Sequence, residues 1–245
     1  MGFFYAMKYI YGPVKSRRIG FSLGLSLTPY KVCSFDCVYC QLGKTTNLTL
    51  DVKEYISVSD IIDELKLWLS QNSAQVKALD YITISGSGEP TLNIKMAELI
   101  GQIRNLCDRP IALITNSTLL YDFDIRRACL GVDLIVPSLD AATQDILERI
   151  DRPATPVKIE KIIEGLVALR KEFRGKIWLE IMLVKGINDD IRYIKKFLPV
   201  IELINPDKIQ LNSPVRTSSE LNILSVVRPK LEKIKDILGD KCEII

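Results

Sequence analysis

An α/β fold built on a parallel sheet is what this sequence predicts, and three observations predict it. Short β-rich runs alternate with longer helical patterns along nearly the whole chain. No low-complexity linker interrupts that alternation, which points to a single domain over residues 1–245. Several of the β-rich runs alternate apolar with small or polar residues, so one face packs on helices and the other meets something polar.

Taken in order, the first strand is expected at 21–27 (FSLGLSL), with Phe21, Leu23, Leu25 and Leu27 on one face and Ser22, Gly24 and Ser26 on the other. A helix over 60–71 follows, with Ser59 and Asp60 as N-terminal caps. The run 81–85 (YITIS) sets Ile82 and Ile84 against Thr83 and Ser85, and a helix is expected at 94–106. Strand 111–115 (IALIT), helix 122–130, strand 133–137 (DLIVP) and helix 142–150, capped by Thr143, come next. Pro156 suits the start of a helix over 157–173. Strand 176–183 (KIWLEIML) opposes Ile177, Leu179, Ile181 and Leu183 to Glu180 and Met182. A helix at 190–203, a strand at 207–211 and a helix at 229–238 complete the pattern, with Ile209 and Leu211 opposed to Gln210 and Asn212. Six strands separated by helices make βαβ units; the pattern leaves open whether the sheet stays flat or curls. If it curls, the polar face encloses a sheltered cavity of the kind that holds ligands.

Composition narrows the chemistry. The chain is 47% hydrophobic and 26% charged, ordinary for a folded domain, with a net charge of +3 that does not by itself argue for nucleic acid. Local basic clusters such as Lys15–Arg17–Arg18, Arg126–Arg127 and Arg170–Lys171–Arg174 fit solvated surfaces. No apolar run approaches the ~20 residues that cross a bilayer, so no membrane partner is expected. The opening MGFFYAMKYIYGPVKSRR is apolar before it is basic, the reverse of a signal peptide, and a cytoplasmic protein is expected. Most informative is the absence of histidine, which removes Ser-His-Asp and Cys-His hydrolysis, His-ligated zinc and imidazole acid–base catalysis.

Three of the six cysteines fall within eight positions, as Cys33-x3-Cys37-x2-Cys40 in the segment KVCSFDCVYCQLGKT. Three is the wrong parity for a disulfide framework, and zinc wants a fourth ligand that the isolated Cys107, Cys129 and Cys242 do not offer. A 4Fe–4S cubane takes several thiolates from one tight loop, and three thiolates leave one iron open for a ligand. The chain also carries SGSGEPTL at 85–92, a glycine-rich turn after a strand, with no Gly-Lys-Ser/Thr following it and Thr91 where a dinucleotide fingerprint has its third glycine.

The cysteine triplet, with Tyr39 just before its last member, resembles the radical S-adenosylmethionine (SAM) superfamily. That resemblance implies a partial (β/α)6 barrel with parallel strands and helices outside, the cluster loop (28–45) after the first strand and a C-terminal extension at 217–245. It implies a 4Fe–4S cluster on Cys33, Cys37 and Cys40 whose unique iron binds SAM, reductive cleavage of SAM and hydrogen abstraction by a 5′-deoxyadenosyl radical. It implies that Gly86, Ser87, Gly88 and Glu89 receive the methionine amino group. Thr115 and Asn116 in LITNSTLL and Ser138 and Asp140 in VPSLDA would contact ribose and methionine, with Tyr39, Met182 and Asn212 also at the cofactor. The same small polar residues also serve as ordinary turn residues.

WLEIMLVKGIND (178–189), LNSPVR (211–216), YGPVKSRRIGFSLG (11–24), CVYCQLGKT (37–45) and RIDRPATP (149–156) look like a short subgroup related to the tRNA wyosine synthases. Those enzymes carry further cysteines ahead of the triplet, and this chain has none before Cys33. Glu180 faces the cavity by alternation, as a ligand-binding carboxylate or as half of an ion pair. Arg152 and Arg216 suit a carboxylate or phosphate, or surface ion pairing. Lys185 is a Schiff-base candidate or a solvated loop lysine. The implied partners are an external electron donor of flavodoxin or ferredoxin type and a substrate that is RNA or a small molecule, the chain being monomeric. Two other readings stay open: an activase that installs a glycyl radical in a partner, and a non-catalytic electron carrier.

Overall fold

A computed structural model of the chain describes residues 7–215 and 218–245. Its ten strands are β1 (Ile10–Ser16), β2 (Gly20–Ser26), β3 (Val32–Cys33), β4 (Asn47–Leu48), β5 (Tyr81–Ser85), β6 (Ile111–Thr115), β7 (Leu134–Pro137), β8 (Lys176–Met182), β9 (Lys208–Asn212) and β10 (Cys242–Ile244). The helices are α1 (Val58–Gln71), α2 (Ser73–Ala78), α3 (Met96–Leu106), α4 (Phe123–Cys129), α5 (Gln144–Ile150), α6 (Ile159–Glu172), α7 (Ile191–Ile204) and α8 (Arg228–Leu238). Eight strands form one sheet in the order β1-β2-β5-β6-β7-β8-β9-β10, and β3 pairs with β4 apart from it. Every pairing in the large sheet is parallel except β1 with β2.

The α/β class and the parallel sheet are those the alternation predicts. The six expected strands are β2 and β5 to β9, each within two residues of its expected bounds. Two edge strands extend them. β1 lies antiparallel on β2 with a bulge between Tyr11 and Val14, and β10, inside the expected C-terminal extension, adds a parallel strand to β9. Helix starts differ in detail. α1 begins at Val58 with Ser57 as its N-cap, because Ser59 and Asp60 already sit in the first turn. α6 begins at Ile159 rather than directly after Pro156.

The two faces of the sheet are chemically distinct, as strand alternation requires. Leu23, Leu25, Ile82, Ile84, Ile111, Leu113, Ile177, Leu179, Ile181, Ile209 and Leu211 are fully buried in one cluster with the helices. The longer helices present matching stripes, such as Ile61, Ile62, Leu65 and Trp68 of α1. The opposite face is not uniformly polar. Near the strand N-termini a second cluster gathers Ile19, Ala112, Leu134 and Val136, with Tyr81, Ile114 and Trp178 against it. Ile19 comes from the β1–β2 turn, which therefore crosses under the sheet and closes its floor.

That crossing shows the sheet to be curled. Arg18 Nη1 reaches Glu180 Oε2 on β8 at 2.8 Å, and the Arg18 carbonyl accepts from Gln210 Nε2 on β9 at 2.8 Å. Arg17 approaches Asn212 Oδ1 at 3.4 Å and the Ile245 carbonyl at 3.3 Å. A turn beside one edge of the sheet thus touches strands at the other, and the polar face becomes the wall of a lumen. No helix among the described residues is long and apolar enough to cross a membrane.

Ile84 is fully buried between β2 and β6 on the helix-facing side. Ile84→Ala is expected to cost about 2–5 kcal/mol, read as a lowered urea midpoint with an unchanged slope.

Candidate cluster and cofactor site

The strand C-terminal ends carry nearly all the candidate residues, as ligand sites of parallel α/β sheets do. Residues 28–45 follow β2. β3 pairs with β4 to pin the base of this loop. Further on, Asp36 N donates to Asp151 O at 3.0 Å, Val38 N to Ile150 O at 2.9 Å, and Ser34 O accepts from Ala154 N at 2.9 Å. Thr45 closes the turn by donating to Asp36 Oδ1 at 2.6 Å. A loop bonded along both sides holds its side chains in place before any metal arrives.

Cys33, Cys37 and Cys40 are free thiols, half-buried on this loop. Two of the three sulfurs accept hydrogen bonds. The Lys31 ammonium donates to Cys40 Sγ at 3.0 Å. Cys33 Sγ accepts from the Phe35 amide at 3.5 Å and from Asn116 Nδ2 at 3.6 Å. Burial pushes the Cys33 thiol up to about 12, with the nearby Glu89 charge adding to it, and burial raises Cys37 well above the ordinary thiol range. Thiols so raised stay protonated until a metal displaces the proton.

The glycine-rich run presses directly on this loop. Lys31 N donates to Ser87 O at 2.6 Å, and Glu89 N donates to Val32 O at 3.1 Å. A β-carbon on Gly88 would lie 1.8 Å from the Val32 carbonyl oxygen, and one on Gly86, whose φ is +112°, would lie 2.1 Å from Ser26 Oγ. Only glycine fits at either point. Ser87 N in turn donates to Ser26 Oγ at 3.1 Å.

The Glu89 carboxylate is enclosed and hydrogen-bonded within the protein. The residue is 2% exposed. Its Oε1 accepts from Thr91 N (3.0 Å), Thr91 Oγ1 (2.6 Å) and Thr115 Oγ1 (2.6 Å), and its Oε2 from Asn116 N (2.8 Å). Burial raises its pKa, opposed by these four donors. The carboxylate therefore ties the end of β5 to the end of β6. Thr115 is committed to this knot. Asn116 donates to Ser34 Oγ at 2.9 Å and accepts from Thr118 N, so it faces the cluster loop.

A second buried acid knot lies behind Cys37. The Tyr39 hydroxyl donates to Asp140 Oδ2, with Asp151 Oδ1 at 3.5 Å, and Asp140 Oδ1 accepts from Met182 N at 2.8 Å. Burial, then the partner carboxylate, drives Asp140 well above the ordinary range; burial lifts Asp151 to about 7. Burial likewise raises Tyr39. Ser138 joins these residues around a cavity of about 10 Å³, hardly larger than one water molecule. Asp151 lies in the motif RIDRPATP but is not distinguishable there from a surface acid.

The remaining candidates separate from this centre. Glu180 is 3% exposed and held by Arg18 and by Asn212 Nδ2 at 2.9 Å, so it is the lumen half of an ion pair rather than a free carboxylate. Arg152 lies at the surface, paired with Glu220 at 2.6 Å. Lys185 is exposed, its backbone N bonded to Leu224 O. Arg216 falls outside the described residues. Lys31, Arg18 and Tyr11, whose ring covers Gly24 and whose hydroxyl meets Ser85, are lumen or loop residues that spacing did not single out.

The donor set fits a multi-iron cluster. Among the described residues no three His, Cys, Asp or Glu side chains converge closely enough for one metal ion. An iron–sulfur core instead gives each thiolate its own iron and spreads the sulfurs apart. Cys33, Cys37 and Cys40 would hold it.

Comparison with known proteins agrees. A family model described as the Radical SAM superfamily matches residues 27–198. A Brachyspira hyodysenteriae protein named GTPase Obg is 39% identical over 237 residues, which is 97% of this chain but only 34% of that protein, so the chain spans about a third of its length. Its name does not describe this chain's motifs: Gly43-Lys44-Thr45 has Val38 where a phosphate-binding loop places its first glycine. A UPF0026 protein of Methanocaldococcus jannaschii is 37% identical over 239 residues, 98% of this chain and 73% of its own length. Among solved structures, a radical SAM methyltransferase from Sphaerobacter thermophilus superposes with a TM-score of 0.70 at 15% identity, covering 91% of this chain and 65% of its own, a likeness of fold.

Two outcomes follow. Glu89→Gln sets an amide N–H against Asn116 N–H or Thr91 N–H, so it is expected to lose about 1–3 kcal/mol of stability and to lower iron content together. Chemical denaturation and iron assay of the same preparation check this. An acid raised by folding stabilises the fold while protonated; for Asp151 that contribution is full below 3.8 and is lost as pH rises through about 7. Asp140 acts in the same sense. The iron-free protein is expected to melt lower at about pH 8 than at about pH 5, and Asp151→Asn to flatten that difference in thermal melts.

Proposed function

The chain belongs to the Radical SAM superfamily, and on that footing we propose that it takes a hydrogen atom from a substrate seated in the lumen of its curled sheet. Membership makes it an enzyme of SAM-dependent radical chemistry, with a 4Fe–4S cluster and SAM as its cofactors. When bound, the cluster supplies one electron that opens the sulfonium of SAM, leaving methionine and a 5′-deoxyadenosyl radical. The observation that carries the reading is the loop of three free thiols, bonded along both sides and set at the C-terminal mouth of the lumen.

Each residue then has a definable task. Cys33, Cys37 and Cys40 would hold the cluster, and the donors at Cys33 and Cys40 would spread the sulfur charge. The Gly86–Gly88 backbone, half-buried beside that loop, forms the near wall of the SAM site. Ser138 and Asp140 lie opposite. Glu89 and Thr115 brace that wall through their hydrogen bond, and Asn116 joins Ser138 and Asp140 around the cavity beside Cys33. The lumen wall offers Ser22, Thr83 and Tyr11 together with the Arg18–Glu180 pair, and the Ile19 floor makes the substrate enter from the mouth. The substrate is an RNA base or a small metabolite, and the electron comes from an external donor of flavodoxin or ferredoxin type.

Anaerobic reconstitution with iron and sulfide, followed by strong reduction with SAM present, is expected to release 5′-deoxyadenosine. Cys33→Ala, Cys37→Ala and Cys40→Ala should each abolish it, and product from the triple variant would overturn the assignment. Redox cycling with SAM untouched would favour an electron carrier, and radical transfer to a single large partner an activase.

A further inference from the structure

We infer that Lys31 sets the reduction potential of the cluster, as a fixed positive charge hydrogen-bonded to the Cys40 sulfur. The inference rests on the cluster assignment above and adds to it a residue that the cysteine spacing does not reveal.

Lys31 is 2% exposed. Lysines are almost never buried to that degree without a partner. The side-chain contact of Lys31 is Cys40 Sγ at 3.0 Å, and none of the ion pairs among the described residues includes it. The sulfur is thus its counterpart. The backbone enforces this arrangement. Lys31 has φ +57°, a left-handed conformation uncommon outside glycine. Its N–H is held by Ser87 O at 2.6 Å, and its carbonyl accepts from Asn47 N at 3.1 Å. A residue kept in a costly conformation by bonds on both sides is over-determined by its surroundings, a pattern that clusters at functional sites.

The electrostatic consequence follows from charge alone. Each thiolate is negative, and every electron added to the cluster deepens the local negative charge. A buried cation at contact distance stabilises the more negative state, because little water intervenes to screen it. Hydrogen bonds to cluster sulfurs and net charge are among the known determinants of such potentials. The Phe35 amide and the Asn116 side chain act on Cys33 in the same direction with partial charges only. Among the described residues Lys31 is the full positive charge hydrogen-bonded to one of the three sulfurs.

The test is an EPR-monitored redox titration of the reconstituted full-length protein, with iron and sulfide counted, for wild type, Lys31→Met, Lys31→Gln and Lys31→Arg. Lys31→Met is expected to retain iron and to disfavour reduction by at least tenfold, about 59 mV more negative for a one-electron couple. Lys31→Gln, which keeps a donor but not the charge, should shift less, and Lys31→Arg should stay near wild type. If Lys31→Met cannot hold iron, Lys31→Gln decides. An iron-replete Met or Gln variant with an unchanged midpoint overturns the inference. So does loss of iron from both, which would make Lys31 a brace for the loop. A wild-type protein that takes up no cluster would instead overturn the cluster assignment itself.

Discussion

The approach of two backbones governs this molecule. Gly88 lies so close to the Val32 carbonyl that a single added methyl would occupy the oxygen's own space. That closeness lets Lys31 N and Glu89 N bond across to Ser87 O and Val32 O, joining the cysteine loop to the glycine-rich run like two rungs of a ladder. The loop has little secondary structure of its own, so its shape comes from this contact and from residues 150–154 on the other side. The ordering entropy is met in the fold rather than at the moment of metal capture.

Buried acids reinforce the same frame by a different route. Glu89 accepts four hydrogen bonds and needs no cation. Asp140 and Asp151 meet at the Tyr39 hydroxyl, where burial favours their protonated forms. Glu180 has a formal counter-ion, the arginine of the β1–β2 turn. These are three ways of satisfying a carboxylate out of water, and none leaves an unpaired charge facing the lumen.

Much of this was legible in the sequence because the signals are local. Alternation in FSLGLSL, YITIS and KIWLEIM fixes which side of each strand meets helices, and the burial of Leu23, Ile84 and Leu179 follows from it. The cysteine triplet names its own loop. What stayed hidden depends on distant contacts. β1 carries Gly12 and Pro13 and a bulge that breaks its period, and β10 is three residues long. The fate of Glu180 turns on Arg18, 162 positions away. The bracing of Glu89 was likewise hidden, since the threonines and the amide that bond its carboxylate lie on a turn and on another strand. Lys31 gave no signal, since a lysine beside a cysteine motif is ordinarily solvated.

The brace formed by the β1–β2 turn bears on how the protein is made. Its anchors, Glu180, Gln210 and Ile245, belong to the later half of the chain, whereas the cysteine loop finds most of its partners between residues 86 and 154, Ser219 apart. During synthesis the thiols are thus framed well before the ends of the sheet can meet. Such long-separation contacts form late in folding. The shape of the metal-binding loop accordingly does not wait on closure of the barrel, because the contacts that set it are already in hand when the later strands arrive.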